Sequence, residues 1–193
     1  MIRQLVLVLT LGSASAGAAE VRPSLILPVN AACISSPFGP RVLPNQPQAG
    51  TYHYGVDLPA PEGAEVRTTA AGEVIRIQNR GPGGLEVLVQ HKGYVGVYSH
   101  LGLVSPLLAA GRTVVAAGEK LGVVGHTGVT FGMHLYFEMI TSKPIDPAPY
   151  LGVPMCSGAV QHQLTPIEIL QAGGKLPPIR HYCWTLASLK QCP

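Results

Sequence analysis

The chain has 193 residues, long enough for one domain with a real core and marginal for two. Only 12% are charged while Gly 23 and Pro 18 are abundant, which excludes a disordered polar chain and long surface helices and favours a turn-rich β protein. The formal net charge of +3 is small and no basic run accompanies it, so nucleic acid is not an expected partner.

The first elements concern export. Arg3 gives a short positive region, Leu5 to Leu11 an apolar run, and Ala14-Ser15-Ala16 or Ala16-Gly17-Ala18 a small-residue cleavage site. Residues 1–19 therefore read as a secretory signal peptide; a buried N-terminal strand is the alternative. The apolar run is shorter than the about 20 residues a bilayer span needs. No cysteine adjoins the cleavage site and no other segment reads as transmembrane, so stable membrane insertion after cleavage is not expected. The protein is expected in the periplasm or outside the cell.

Four cysteines behind an export signal point to two disulfides. None has CxxC or Cys/His metal spacing. Of three connectivities, the short loop favours Cys183–Cys192, which leaves Cys33–Cys156 to tie the start of the domain to its end.

Strands are predicted over Val66–Ala70, Gly72–Gln78, Leu85–His91, Val95–Leu101, Thr113–Ala116 and Met133–Ile140, from short apolar or alternating runs broken by Gly and Pro. Gly81-Pro82-Gly83-Gly84 marks a hairpin and Gly93 another turn. Leu103–Ala110 reads as a short helix. Such spacing implies an all-β, antiparallel core, a rolled sheet or sandwich, over about residues 33–152. Residues 153–193 form an extension. Within it, Thr165-Pro166-Ile167-Glu168 carries a capping-box pattern for a helix to about Ala172, stopped by Gly173-Gly174.

His53 and Asp57 are a candidate metal pair. Four residues of straight strand would separate them by about 13 Å, so the segment must bend, and Gly55 permits a bend. Tyr52 and Tyr54 flank the pair; they line a groove or sit half-buried in a sheet. His134, Tyr136 and Glu138 alternate with Leu135 and Phe137, so the polar triplet shares one face and the apolar pair faces the core. Glycines at 122, 125, 128 and 132 imply tight turns or close approaches just before it. His91 reads as structural, His126 as bordering the groove, and His162 and His181 fall in the extension. Arg41 is either a carboxylate binder or an exposed side chain after a Gly-Pro turn.

The segments ISSPFGPR (34–41), HYGVDLPAPEGAEV (53–66), AAGEVI (70–75), the strand ending in His91, YSHL (98–101), GEKLGVVGHTG (118–128), GMHLYFE (132–138) and PIDPAPYL (144–151) stand in a specific order. Together they resemble the M23 family of zinc metallopeptidases, also called the LytM or lysostaphin-type family. The resemblance implies a compact antiparallel β core with a groove. It implies cleavage of peptide cross-links in bacterial peptidoglycan or, in inactive members, binding and activation of other wall hydrolases. It makes His53 and Asp57 zinc ligands and His100 and His134 the histidines of the chemistry. The family's third ligand is a histidine, and here that position is Tyr136. A tyrosine ligates only as phenolate, and lowering its pKa by about 3 units costs roughly 4 kcal/mol. Zinc is therefore expected to bind weakly or not at all. The expected protein is a degenerate metallopeptidase that binds wall peptides or regulates a wall hydrolase. The alternative is an active zinc endopeptidase with an unusual third ligand, Tyr136 or water.

Overall fold

A computed structural model describes residues 24–41, 43 and 49–157, together with two short strands near the C-terminus. The signal segment, the helix expected at 165–172, His162, His181 and the Cys183–Cys192 pair fall outside the described residues or their side chains.

In chain order the strands are β1 (Gly39–Pro40), β2 (Tyr52–His53), β3 (Val56–Pro59), β4 (Glu65–Arg67), β5 (Gly72–Arg80), β6 (Gly84–His91), β7 (Tyr94–Val104), β8 (Val114–Val115), β9 (Lys120–Val124), β10 (His134–Ile140), β11 (Pro144–Ile145), β12 (Tyr182–Thr185) and β13 (Ser188–Gln191). Two one-turn helices, α1 (Pro106–Ala109) and α2 (Ala148–Leu151), punctuate them. Nine strands form one sheet, ordered β11-β10-β7-β6-β5-β8, with β3 added to β10 and the β4-β9 pair added to β7. Every strand pairing is antiparallel, as the alternating, turn-rich sequence predicts.

The hairpin between β5 and β6 turns at Gly81–Gly83, and Gly93, at φ +92°, turns β6 into β7. The helix expected from Leu103 is shorter than its sequence suggested: Leu103 and Val104 complete β7, and α1 begins at Pro106. Strand β9 was hidden by its glycine. A Cβ at Gly122 would collide with the Leu103 carbonyl, so this glycine lets β9 lie flush against β7 rather than turn.

Leu135 and Phe137 are fully buried, with Val56, Leu58, Tyr98, Leu101 and Leu121, in the main core. A smaller apolar cluster of Leu88, Val95, Val97 and Ile140 occupies alternate positions of the same central strands. Strand β7 is therefore buried from Val95 to Leu101 at every residue, which makes it a rigid floor for its neighbours. Cys33 and Cys156 are disulfide-bonded, and Ile34 bridges Met155 beside them, so the start and end of the core are joined.

Candidate functional site

Strand register assembles the site. Asp57 on β3 lies opposite Tyr136 on β10, whose other neighbour is Ser99 on β7. Residues directly opposite one another share a face, so Asp57 and Tyr136 point the same way, and His134, two residues back, joins them. The chain bends at Tyr54 and Gly55, between β2 and β3. A Cβ at Gly55 would strike the Phe137 carbonyl and stand 2.9 Å from Tyr136 Cε2. Only glycine lets this bend press onto β10, and the bend brings His53 back to Asp57, with His53 Nε2 3.2 Å from Asp57 Oδ1.

The five residues singled out from sequence are brought together. His134 Nε2 lies 3.4 Å from the same Asp57 Oδ1. The rings of His100 and His134 are edge-on at 4.8 Å, His100 and Tyr136 are 6.2 Å apart, and His53 and Tyr136 5.2 Å apart. His100 sits at φ +65°, the single non-glycine residue with positive φ among the described residues. That conformation is costly for a residue with a Cβ and clusters at functional sites. The Thr127 carbonyl holds it, accepting from His100 Nδ1 at 2.9 Å.

Sequence reasoning missed several supports. Pro37 O lies 2.9 Å and Ser36 Oγ 3.2 Å from His53 Nδ1, and Gly132 O lies 2.8 Å from His134 Nδ1. The Thr127 hydroxyl accepts from Leu85 N and donates to Leu101 O, stitching the glycine loop to β6 and β7. The one signal for these residues was their place inside the motif segments. Arg41 is not an exposed turn residue. Its guanidinium donates to Ser36 Oγ and Ala49 O and stands 3.9 Å from Asp57 Oδ2. Tyr52 is half-buried in a ring stack with Phe38 and Tyr54. His91 is structural, bonded to Ala71 O and the buried Tyr98 hydroxyl, and His126 is exposed.

Electrostatics follow the geometry. Burial opposes ionisation of Asp57, but the hydrogen bond from His53 and the positive potential of His53, His134 and Arg41 outweigh it and hold the carboxyl below its ordinary value. Burial, with repulsion from His134, pushes the His100 imidazole down to about 4 despite the Thr127 carbonyl, so it is a neutral ring at physiological pH.

A zinc ion of the type expected at His53 and Asp57 needs a third protein donor. Tyr136 does not fit that part: its hydroxyl donates to Glu138 Oε2 at 3.1 Å, and Glu138 is buried. Among the described residues no three His, Cys, Asp or Glu side chains stand as a ready-made metal cage.

Comparison with known proteins agrees with the geometry. Residues 51–147, half of the chain, match Peptidase family M23. The chain is 38% identical over 116 residues to the DD-carboxypeptidase/endopeptidase Mpg of Neisseria meningitidis, covering 59% of the chain and 26% of that protein. It is 32% identical over 133 residues to the peptidoglycan DD-endopeptidase ShyA of Vibrio cholerae, covering 68% and 30%. The structure of a zinc-containing peptidase from Vibrio cholerae superposes with a TM-score of 0.53 at 30% identity, over 62% of this chain and 37% of that one. The chain thus spans between a quarter and a third of the length of these two curated relatives.

Proposed function

The chain belongs to peptidase family M23, and from that premise we propose that it is an exported, cell-wall-associated protein that has lost efficient metallopeptidase activity. It binds peptidoglycan peptides through the groove or regulates a wall hydrolase. Relatives named as peptidoglycan endopeptidases support the wall as its target. The observation that carries the loss of activity is Tyr136: it stands at the third-ligand position beside Asp57, and its hydroxyl is committed to Glu138.

The residues around Asp57 suit peptide binding. Arg41 is fixed beside Asp57, and His100 and His134 present imidazole edges at the same place. If zinc binds, it supplies polarisation of a scissile carbonyl and an activated water. His100 and His134 would then handle protons. Their retention at 4.8 Å, with His100 in a strained backbone conformation, favours a second reading as a slow but active endopeptidase.

One experiment separates the two. Mature protein is mixed with purified walls, with and without chelator, and both co-sedimentation and release of soluble fragments are measured. Chelator-independent co-sedimentation without release is the expected result. Stoichiometric, tight zinc together with wall cleavage abolished by His53→Ala would establish the enzyme instead. Absence of co-sedimentation under all conditions would remove the wall-binding reading.

A further inference from the structure

The edge of a β-sheet presents backbone N–H and C=O groups that can pair with another chain, and folds commonly cover or shorten such edges. This protein covers most of its own. Ser35 N donates to Asp57 O and Asp57 N to Ser36 O along the outer side of β3, and Arg67 N donates to Pro28 O along β4. Strands β8 and β11 are only two residues long, and β11 begins with a proline. Strand β5 differs. It has nine residues and pairs with β6 along its length, but it meets β8 only at Gly72 and Glu73, where Val74 N also donates to Thr113 O. From Ile75 to Arg80 no strand lies along its outer side among the described residues.

The open stretch is a regular template. Its one irregularity with β6 falls between Val74 and Arg76, and from there the register runs unbroken to Arg80 opposite Gly84. Successive side chains alternate between the two faces. Ile77, opposite the core residue Val87, is 40% exposed, and Ile75 is 42% exposed. Arg76 and Gln78 stand opposite Leu88 and Glu86 on the other face. The sequence Ile-Arg-Ile-Gln-Asn-Arg holds two arginines and no acid. Arg76 makes no ion pair among the described residues. Glu86 is bonded to Gln78 and Ser99 instead.

From this we propose that the open edge of β5 is a docking site for an extended segment of a partner protein whose side chains alternate acidic and apolar, added to the sheet as a further strand. Backbone hydrogen bonds supply affinity in this mode, and side chains at alternate positions supply selection. The acids meet Arg76 on one face, and the apolar residues cover Ile77 on the other. A second copy of this chain is the poorer occupant. Pairing β5 with itself brings two arginines from each copy and no acid to the seam, and like charges set opposite destabilise a sheet. In the order β3-β10-β7-β6-β5 the edge lies four strands from Asp57, roughly 19 Å at about 4.8 Å per strand. The docking site is therefore separate from the histidine groove and does not rest on the function proposed for it.

The probe is a blocked synthetic peptide, Glu-Val-Glu-Val-Glu-Val-Glu, titrated into ¹⁵N-labelled mature protein. One control peptide has the same composition with its acids and valines in separate blocks. The other has lysine in place of glutamate. The expected result is amide shifts centred on residues 75–80 and their β6 neighbours, with slowed amide exchange along that stretch. The alternating acidic peptide should bind about tenfold tighter than either control, and less tightly as sodium chloride is raised. Arg76→Glu should lose about tenfold, a lost attraction plus an added repulsion, while Arg76→Lys keeps most of the affinity. Near-UV circular dichroism establishes that both variants are folded, and the comparison of peptides needs neither. Shifts centred on His53, His100 and His134 would place the peptide in the groove and overturn the assignment. Equal affinity for the block peptide would reduce the effect to net charge and overturn it too, as would no binding at millimolar peptide. A dimer in analytical ultracentrifugation whose formation protects the β5 amides would make a second copy the occupant and overturn the acidic partner.

Discussion

Cys33 and Cys156 close a loop of 123 residues, almost the whole described core. Replacing both by serine removes that constraint from the unfolded chain. In the chain-entropy model a loop of this length is worth about 16 cal/mol/K, or about 5 kcal/mol at 25 °C. That is comparable with the entire stability of many domains, about 5–15 kcal/mol. The folded state should change little. Ile34 N still donates to Pro154 O at 2.8 Å, and Cys156 N, now of serine, to Ile34 O at 2.9 Å, so the two chain ends stay in register without the sulfurs. The loss should therefore lie in the unfolded state, and a more expanded unfolded chain also exposes more surface. Urea unfolding followed by circular dichroism should show the midpoint fall sharply and the slope m rise. A loss under about 1 kcal/mol with unchanged m would refute the reasoning. It would mean that backbone pairing at Ile34 and Met155 holds the ends together even in the denatured ensemble.

Two further outcomes are expected. Gly55→Ala should cost about 1–3 kcal/mol by overpacking against the Phe137 backbone; thermal melts check it, and an unchanged melting temperature would contradict the close approach. The second is acid sensitivity from His100: an unfolded imidazole takes its proton near 6.5 and the folded one only at about 4, so between those values the unfolded state binds more protons and stability falls as pH drops, by at most roughly 3 kcal/mol. Asp57, held below its ordinary value, adds its loss at still lower pH. His100→Asn tolerates positive φ and should flatten the stability profile from pH 6.5 to about 4; an identical slope in the variant would remove His100 as the cause.

Much of this molecule is written in local pattern. Alternation in His134–Ile140 reports both the strand and its two faces, because Leu135 and Phe137 must enter the core if the strand is paired on both sides. The bend between His53 and Asp57 follows from the reach of a metal pair and the glycine between them. What sequence conceals is contact between distant backbones. Gly122 reads as a turn but serves as a gap for a neighbouring carbonyl. Arg41 reads as either a carboxylate binder or an exposed side chain because nothing local says that Asp57 comes within 3.9 Å of it. Glu138 reads as one more polar residue on the groove face, yet it takes the Tyr136 hydroxyl and so decides which way the exchanged ligand points. The carbonyls of Pro37, Thr127 and Gly132, which orient all three groove histidines, have no side-chain signature at all.

The pairing of β3 with β10 sets an order of events during synthesis. Val56 meets Phe137, and Asp57 meets Tyr136, across roughly eighty residues of intervening chain. A ribosome delivers the N-terminal partner first, and its β10 partner emerges only much later. Until then the hairpins β5-β6 and β6-β7 can form from near neighbours, while His53 has only β1 and Asp57 only the Ser36 bridge to pair with. Long-range pairings of this kind are slow because loop closure precedes any gain from the contact. A chain truncated before Met133 would thus contain most of the sheet with His53, Asp57 and His100, yet lack the strand that carries His134 and lies against Asp57.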